Sequence, residues 1–326
     1  MIGQSPAIRR AISLIEEVGP SDASVIIVGE TGTGKELVAR AIHEKSRRSR
    51  RPFVAINCGG IPDSLIESEL FGHDRGAFTG ADQKREGYFE RANGGTVFLD
   101  EITEMRPDLQ AKMLRVLEER KFLRLGGSRE LPTDVRIIAA TNRPLDRAIK
   151  ERRLREDIYY RLNEFTIELP PLRDRKSDIP LLADYFLKQF APRYGKKIEG
   201  IEQDCLDALK ACPWPGNIRQ LKNAMHHAVI KCRGAKLSAA DLPASSHPIA
   251  GPKDCFMVRL GSNLREMERE LVVRTLKLVG GNKRRACAML GISRRALYNR
   301  LARYGVHRPK PEQMSLPYRE TDDDEP

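Results

Sequence analysis

The chain has 326 residues, enough to bury a sizeable core and to form two or three domains. Hydrophobic residues make up 40% and charged residues 31%, the ordinary range of a globular protein, and no apolar run approaches the roughly 18 residues of a membrane span. The net charge of +12 favours an anionic partner.

The N-terminal stretch MIGQSPAIRRAISLIEEVG lacks the apolar core and cleavage site of a secretory signal, so a cytoplasmic location without membrane contact is expected. Cys58, Cys205, Cys212, Cys232, Cys255 and Cys287 form no C-x-x-C pair and have no histidine at metal-ligand spacing. They read as scattered reduced thiols.

In chain order, an amphipathic helix is expected from Ile8 to Val18. SVIIVGE follows as a buried strand entering a glycine-rich turn, and ELVARAIHEKSRR as a helix. FVAIN and TVFLDEI read as strands, RPDLQAKMLRVLEER as a helix and VRIIAATN as a strand. Apolar strands alternating with helices predict a parallel sheet covered on both faces. After Pro170 the strand pattern stops. IPLLADYFLKQFAPRYG, QDCLDALKAC and IRQLKNAMHHAVIKC predict a smaller all-helical subdomain. The expected divisions are an α/β unit over 1–170, a helical subdomain over 171–242, a linker over 243–261 and a helical module over 262–306. A Pro-rich tail over 307–326, ending in acids, is expected to be disordered.

Gly29, Glu30, Thr31, Gly32, Thr33, Gly34 and Lys35 fit the phosphate-loop pattern G-x-x-x-x-G-K. Glycines let backbone N–H groups wrap phosphates, Lys35 faces the β- and γ-phosphates, and the following helix aims its N-terminus at the anion. Glu36 stands where Ser or Thr usually ligates Mg²⁺. TVFLDE then closes an apolar strand on Asp100 and Glu101. Asp100 suits the Mg²⁺ hydration shell, and Glu101 suits polarising the attacking water. A strand capped by solvated acids is the plainer alternative for this pair.

Near the C-terminus, the segment from Asn282 to Leu301 reads as helix, turn, helix, with Gly291 at the turn and Ser293 capping the second helix. Ala286, Leu290, Ile292, Leu297 and Leu301 supply its apolar contacts. From Ser262 to Arg308 there are twelve lysines and arginines against three glutamates, so +9 of the charge lies here. Arg294, Arg295, Tyr298, Asn299 and Arg300 are placed to meet DNA from the second helix. Lys283, Arg284 and Arg285 open the preceding helix and suit phosphates.

Four stretches carry a resemblance to the bacterial enhancer-binding proteins, the NtrC-like activators that work with sigma-54 RNA polymerase: GETGTGKE, ESELFGHDRGAFTGA, LREDIYYRLNEFTIELPPLRDRKSDIPLL and PWPGNIRQLKN. The C-terminal module resembles the Fis-type helix-turn-helix of that family. The resemblance implies an AAA+ fold: a parallel-sheet P-loop ATPase with a small helical lid, followed by an all-α helix-turn-helix. It implies ATP and Mg²⁺ as cofactors, with sigma-54 holoenzyme and double-stranded DNA as partners, and a hexameric or heptameric homo-oligomer.

Residue by residue, the resemblance makes Asn57 a switch that pairs with Glu101, Asn142 the first sensor and Arg219 the second. Arg155 and Arg161 are implied to reach a neighbouring subunit's nucleotide; ion pairs with Glu151, Glu156 or Asp157 are the plainer alternative. Gly76, Ala77, Phe78, Thr79, Gly80 and Ala81 match the sigma-contacting loop, and Ile2–Gly3 the segment near the adenine. Two rival readings are a repressor on a degraded ATPase fold and an AAA+ machine for another task. Intact Lys35, Asp100 and Glu101 weigh against the first, and the Gly76–Ala81 loop against the second.

Overall fold

The computed structural model describes residues 1–243 and 263–304; the expected tail, and all of the expected linker except Pro243, lie outside them. The chain divides into two units, treated separately below. The first runs α1 (Pro6–Val18), β1 (Val25–Val28), α2 (Lys35–Glu44), β2 (Phe53–Asn57), α3 (Asp63–Phe71), α4 (Tyr88–Arg91), β3 (Thr96–Asp100), α5 (Pro107–Glu119), β4 (Lys121–Leu123), β5 (Glu130–Pro132), β6 (Arg136–Thr141), α6 (Leu145–Lys150), α7 (Glu156–Leu162) and β7 (Phe165–Glu168). The lid follows as α8 (Ile179–Phe190), β8 (Gly200–Ile201), α9 (Gln203–Ala211), α10 (Asn217–Lys231) and β9 (Lys236–Leu237).

The main sheet has the order β2-β3-β6-β1-β7, and every neighbouring pair is parallel. Because side chains alternate across a strand, Ile26 packs on one face and Ile27 on the other. The Ile27 face, with Phe98 and Ile138, is covered by Ile15 and Val18 of α1 and Val38 and Ile42 of α2. The opposite face, with Val97, Leu99 and Ile137, is covered by Leu70 of α3, Leu109 and Met113 of α5, and Ile158 of α7. Burial on both faces explains why these strands read as nearly continuous apolar runs.

Arg136 is fully buried at the start of β6. Its guanidinium donates to the carbonyls of Val18 (2.9 Å), Gly19 (2.8 Å) and Ala23 (3.2 Å), closing the C-terminal end of α1 onto the sheet. α2 stops before the expected Arg48 because the Ser46 hydroxyl donates to the His43 carbonyl and accepts from Arg48 N–H, turning the chain.

Two differences from the sequence reading stand out. FTIE forms β7, an edge strand absent from the expected elements, in which only Ile167 is buried. The lid is not all-helical: β8 and β9 pair in parallel, with Leu237 buried among the helices. Trp214 anchors the lid core and donates from Nε1 to the Leu209 carbonyl at 2.7 Å.

The second unit is a three-helix module: α11 (Leu264–Leu278), α12 (Lys283–Leu290) and α13 (Arg294–Arg303). Val272, Ala286, Leu297 and Leu301 form its buried core, with Leu290 and Ile292 packed against it. Asn282 and Ser293 cap α12 and α13 by accepting Arg285 N–H and Ala296 N–H. Gly291 takes the left-handed conformation (φ 64°) that ends α12.

Candidate functional site

The loop from Gly29 to Gly34 joins β1 to α2, at the carboxyl end of a parallel strand. Gly32 has φ 82°, and a Cβ there would stand 2.4 Å from the Gly216 carbonyl oxygen, so only glycine fits. Lys35 is 6% exposed, and its Nζ donates to the Gly29 carbonyl at 3.0 Å and pairs with Glu101 Oε1 at 3.2 Å. The Thr33 hydroxyl and N–H both donate to the Glu30 carbonyl, tightening the loop. Glu36, which follows Lys35 in the phosphate-loop motif, faces outward and pairs with Arg40 one turn along α2 (2.7 Å). An acid in the first turn of a helix suits the helix dipole.

Asp100 ends β3 directly beside Asn57 of β2. Burial holds its carboxyl above the ordinary carboxylate range, opposed by the positive charge of Lys35 and reinforced by Glu101. Glu101 takes φ 54°, a left-handed conformation that costs about 1–3 kcal/mol for a side-chain-bearing residue. Its Oε2 accepts the Asn142 N–H at 3.0 Å, and Asn142 Nδ2 donates to the Thr31 hydroxyl at 3.3 Å. The expected Asn57–Glu101 pair is not formed. Asn57 Oδ1 accepts Gly59 N–H instead, while Lys35 and Asn142 occupy the two oxygens of Glu101. Neighbouring Cys58 is no nucleophile, since burial pushes its thiol up to about 12.

The lid closes over this loop. Arg219 contributes its backbone N–H to the Gly32 carbonyl at 3.3 Å, and its side chain is exposed. Sequence reasoning passed over four lid residues here: Arg173, Arg175, Asp178 and Asn217. Arg173 grips the Glu30 carboxylate with both Nη atoms (2.8 and 2.6 Å) and holds it below the ordinary range. Buried Asp178 accepts Gln4 N–H, Ser5 N–H and the Ser5 hydroxyl at 2.6–2.9 Å. Ile2 packs against the lid core, so the N-terminal segment bridges α1 and the lid. A groove of about 950 Å³ runs beside the loop, lined by Gly29, Glu30 and Asn142 together with Ala7, Ala11 and Leu169.

Arg155 and Arg161 lie on α7 or at its cap, exposed. Arg155 pairs with Asp157 (2.7 Å), the surface ion pair that the sequence left open; Arg161 Nη2 reaches the Leu117 carbonyl at 3.3 Å. Neither is among the partners of the phosphate loop of its own chain.

Gly76 to Ala81 form a tight projecting loop. Gly76 N–H donates to the Ala81 carbonyl and Ala81 N–H to the Phe78 carbonyl. Gly76 (φ 82°) and Gly80 (φ 98°) have open space around them, and Thr79 is exposed. Phe78 is 40% exposed and meets His73 edge-on at 5.0 Å. The root below is firm: Asp74 N–H donates to Leu125, Leu125 N–H to Gly72, and His73 pairs in both directions with Arg85. Arg124 binds both Glu90 and Asp74.

In the second unit Arg284, Arg285, Arg294, Arg295 and Asn299 are exposed, and Ser293 is committed to its cap. Lys283 lies over the Tyr298 ring, 4.7 Å from its centroid, joining α12 to α13. Arg300 turns away from the outer face and pairs with Glu268 of α11, which also accepts the Tyr304 hydroxyl at 2.6 Å. Arg300, expected among the DNA contacts, is thus engaged by Glu268 in the chain without DNA.

A glycine loop with a buried lysine, an acidic pair at the end of the adjacent strand, an asparagine on the next and a helical lid over all of them define an AAA+ P-loop ATPase. The sigma-54 interaction domain family matches residues 1–168, the AAA+ ATPase lid domain matches 173–253, and the Fis family of bacterial regulatory proteins matches 263–304. The chain belongs to the sigma-54-dependent transcriptional activators. It is 48% identical over 306 residues to the transcriptional regulatory protein ZraR of Klebsiella oxytoca, covering 93% of this chain and 68% of that one. It is 47% identical over 312 residues to the regulatory protein AtoC of Escherichia coli, covering 94% and 68%. The ATP complex of NtrX from Brucella abortus is similar in structure, with TM-score 0.69 and 36% identity, covering 94% of this chain and 69% of that one.

The protein is therefore an ATPase with ATP and Mg²⁺ as cofactors, a sigma-54 partner and a DNA-binding helix-turn-helix. The residues fit the metal: Asp100 and Glu101 share one close cation, Lys35, so the donor set is short of positive charge. Among the described residues, no helix is long and apolar enough to cross a membrane.

Proposed function

We propose that this chain assembles into a hexameric or heptameric ring that hydrolyses ATP between subunits and uses the energy to remodel the closed complex of sigma-54 polymerase. It works in the cytoplasm, away from membranes, from sites upstream of the promoter. The observation that carries the reading is the composition of the single-chain site. Lys35, Asp100, Glu101 and Asn142 converge on the phosphate loop, whereas Arg155 and Arg161 are turned outward. Phosphoryl transfer needs added positive charge on the transferring group, and an arginine from a neighbour supplies it.

In this reading the loop N–H groups and Lys35 bind the phosphates, and Glu30 to Gly34 wrap them. Lys35 exchanges Glu101 for phosphate oxygens. That frees Glu101 Oε1 to orient water, while Asn142 N–H holds Oε2 in place. Bound through water at Asp100, Mg²⁺ would neutralise charge on the phosphates. Asn57, beside Asp100, becomes available to Glu101 once Lys35 has left it. Arg219 reads the nucleotide from the lid, and Gly76 to Ala81 grip sigma-54 with Phe78 and Thr79 at the exposed end. Arg284, Arg285, Arg294, Arg295 and Asn299 meet DNA.

The test is open-complex formation by sigma-54 polymerase on promoter DNA with ATP. The unsubstituted chain should support it, and Thr79→Ala should abolish it while ATP hydrolysis persists. Normal activation by Thr79→Ala would remove the loop from the coupling step.

A further inference from the structure

Three consecutive carbonyls of the phosphate loop are held by donors from the lid. The Thr31 carbonyl accepts from Asn217 Nδ2 at 3.1 Å, Gly32 from Arg219 N–H at 3.3 Å, and Thr33 from Arg175 Nη2 at 3.3 Å. A trans peptide carries its C=O and N–H on opposite sides. Drawing the Thr31 and Thr33 carbonyls toward the lid therefore turns the N–H groups of Gly32 and Gly34 the other way, toward the concave side of the loop where phosphate oxygens sit.

Asn217 is built for this task. It is fully buried at the start of α10, and it holds φ 50°, a conformation that asparagine tolerates better than most residues. Its amide is fully used: Oδ1 accepts Leu172 N–H at 2.8 Å, and Nδ2 donates to both Thr31 O and Glu30 Oε2. Arg175 is 3% exposed, burial draws its pKa down, and its Nε has no partner. Burying a guanidinium there is costly, and the loop carbonyl is what it meets.

We infer that Asn217 and Arg175 are positioning residues that set the peptide planes of the phosphate loop from the lid, so that nucleotide affinity depends on the lid's seat. The inference rests on the ATP-site reading above. That reading has its own control: the unsubstituted 326-residue chain should bind ADP, and Lys35→Ala should not.

Asn217→Asp separates positioning from support. It keeps the acceptor for Leu172 N–H and the tolerated backbone, but it loses the donor to Thr31 and Glu30 and adds a negative charge beside Glu30, so it is read only together with the uncharged Asn217→Gly. Asn217→Gly keeps the backbone and loses every amide contact. Arg175→Met fills similar space and loses the donor to Thr33 together with the positive charge near Asp178. ADP affinity is measured by titration on the folded 326-residue chain, with the melting temperature recorded without nucleotide. The expected result is an ADP Kd raised about tenfold or more in Asn217→Asp and Asn217→Gly and several-fold in Arg175→Met, beyond any change in melting temperature. Should the Asn217 variants fail to fold, Arg175→Met decides alone. ADP bound by Asn217→Asp and Arg175→Met as tightly as by the unsubstituted chain overturns the inference, because a purely supporting role leaves affinity per folded molecule unchanged.

Discussion

Lys35 and Glu101 are each other's counter-ion here, and that pairing sets how their loss is read. Glu101→Gln keeps an acceptor for Asn142 N–H but no longer attracts a proton from water. Hydrolysis should fall by about 10²–10⁴, with ATP still bound. Phosphate release and a binding titration check it, and turnover at the unsubstituted rate excludes Glu101 as the water-orienting group. The Glu30–Arg173 pair predicts a pH dependence. Arg173 lowers the Glu30 pKa below its ordinary 4.5, so the pair stabilises the fold above that value and the contribution fades as pH falls through the lowered one. Glu30→Gln should be the less stable protein at neutral pH, and the gap should vanish in acid. Fluorescence of Trp214, the single tryptophan and part of the lid core, follows this through a urea titration. Lys35, Asp100, Glu101 and Asn142, which meet at the phosphate loop, were legible because each lies in a short contiguous motif. Asn217 and Asp178 were not, since their partners lie 186 and 173 positions away in the sequence.

At the scale of elements, the buried strands and long amphipathic helices declared themselves through periodicity, while β7 did not. Phe165, Ile167 and Leu169 alternate with Thr166 and Glu168 at the strand period, but the run is too short, and too close to α7 and Pro170, to stand out. The β8–β9 pair is two residues per strand, below what any pattern resolves. The helix-turn-helix was legible from its caps, turn and core, but the partner of Arg300 was not, since Glu268 sits on another helix. Two outcomes follow for that unit. Arg294→Ala or Arg295→Ala should cost about 1–3 kcal/mol at the specific site and relax sequence preference there, because one of them is placed to read a base from the start of α13. Arg300→Ala should lower the stability of the unit and leave sequence preference unchanged. Binding assays on specific and scrambled DNA separate the two; a selective loss of sequence preference in Arg300→Ala would return that residue to the DNA face.

For the whole molecule, action between subunits makes a prediction that no single-chain change does. Arg161→Ala and Lys35→Ala should each lack ATPase activity. Mixed together, they should recover part of it at junctions joining an intact loop to an intact Arg161. Mixed rings that form and stay silent would place both groups in one chain.

The Gly76–Ala81 loop also has a mechanical reading. Its tip is a glycine-flanked turn with empty space around both glycines, whereas its root is tied by backbone bonds at Gly72, His73, Asp74, Arg85 and Leu125 and by Arg124. A pull on Phe78 is thus divided among several anchors, each carrying a fraction of the load. In the proposed coupling role, a tip with open space at Gly76 and Gly80 would conform to sigma-54 while the hydrogen-bonded root transmits displacement. Gly126 completes the mounting: a side chain there would meet Ala77 at 2.9 Å and wedge tip from root. Work done by the ATPase would then be spent bending its own lever before it moved anything else.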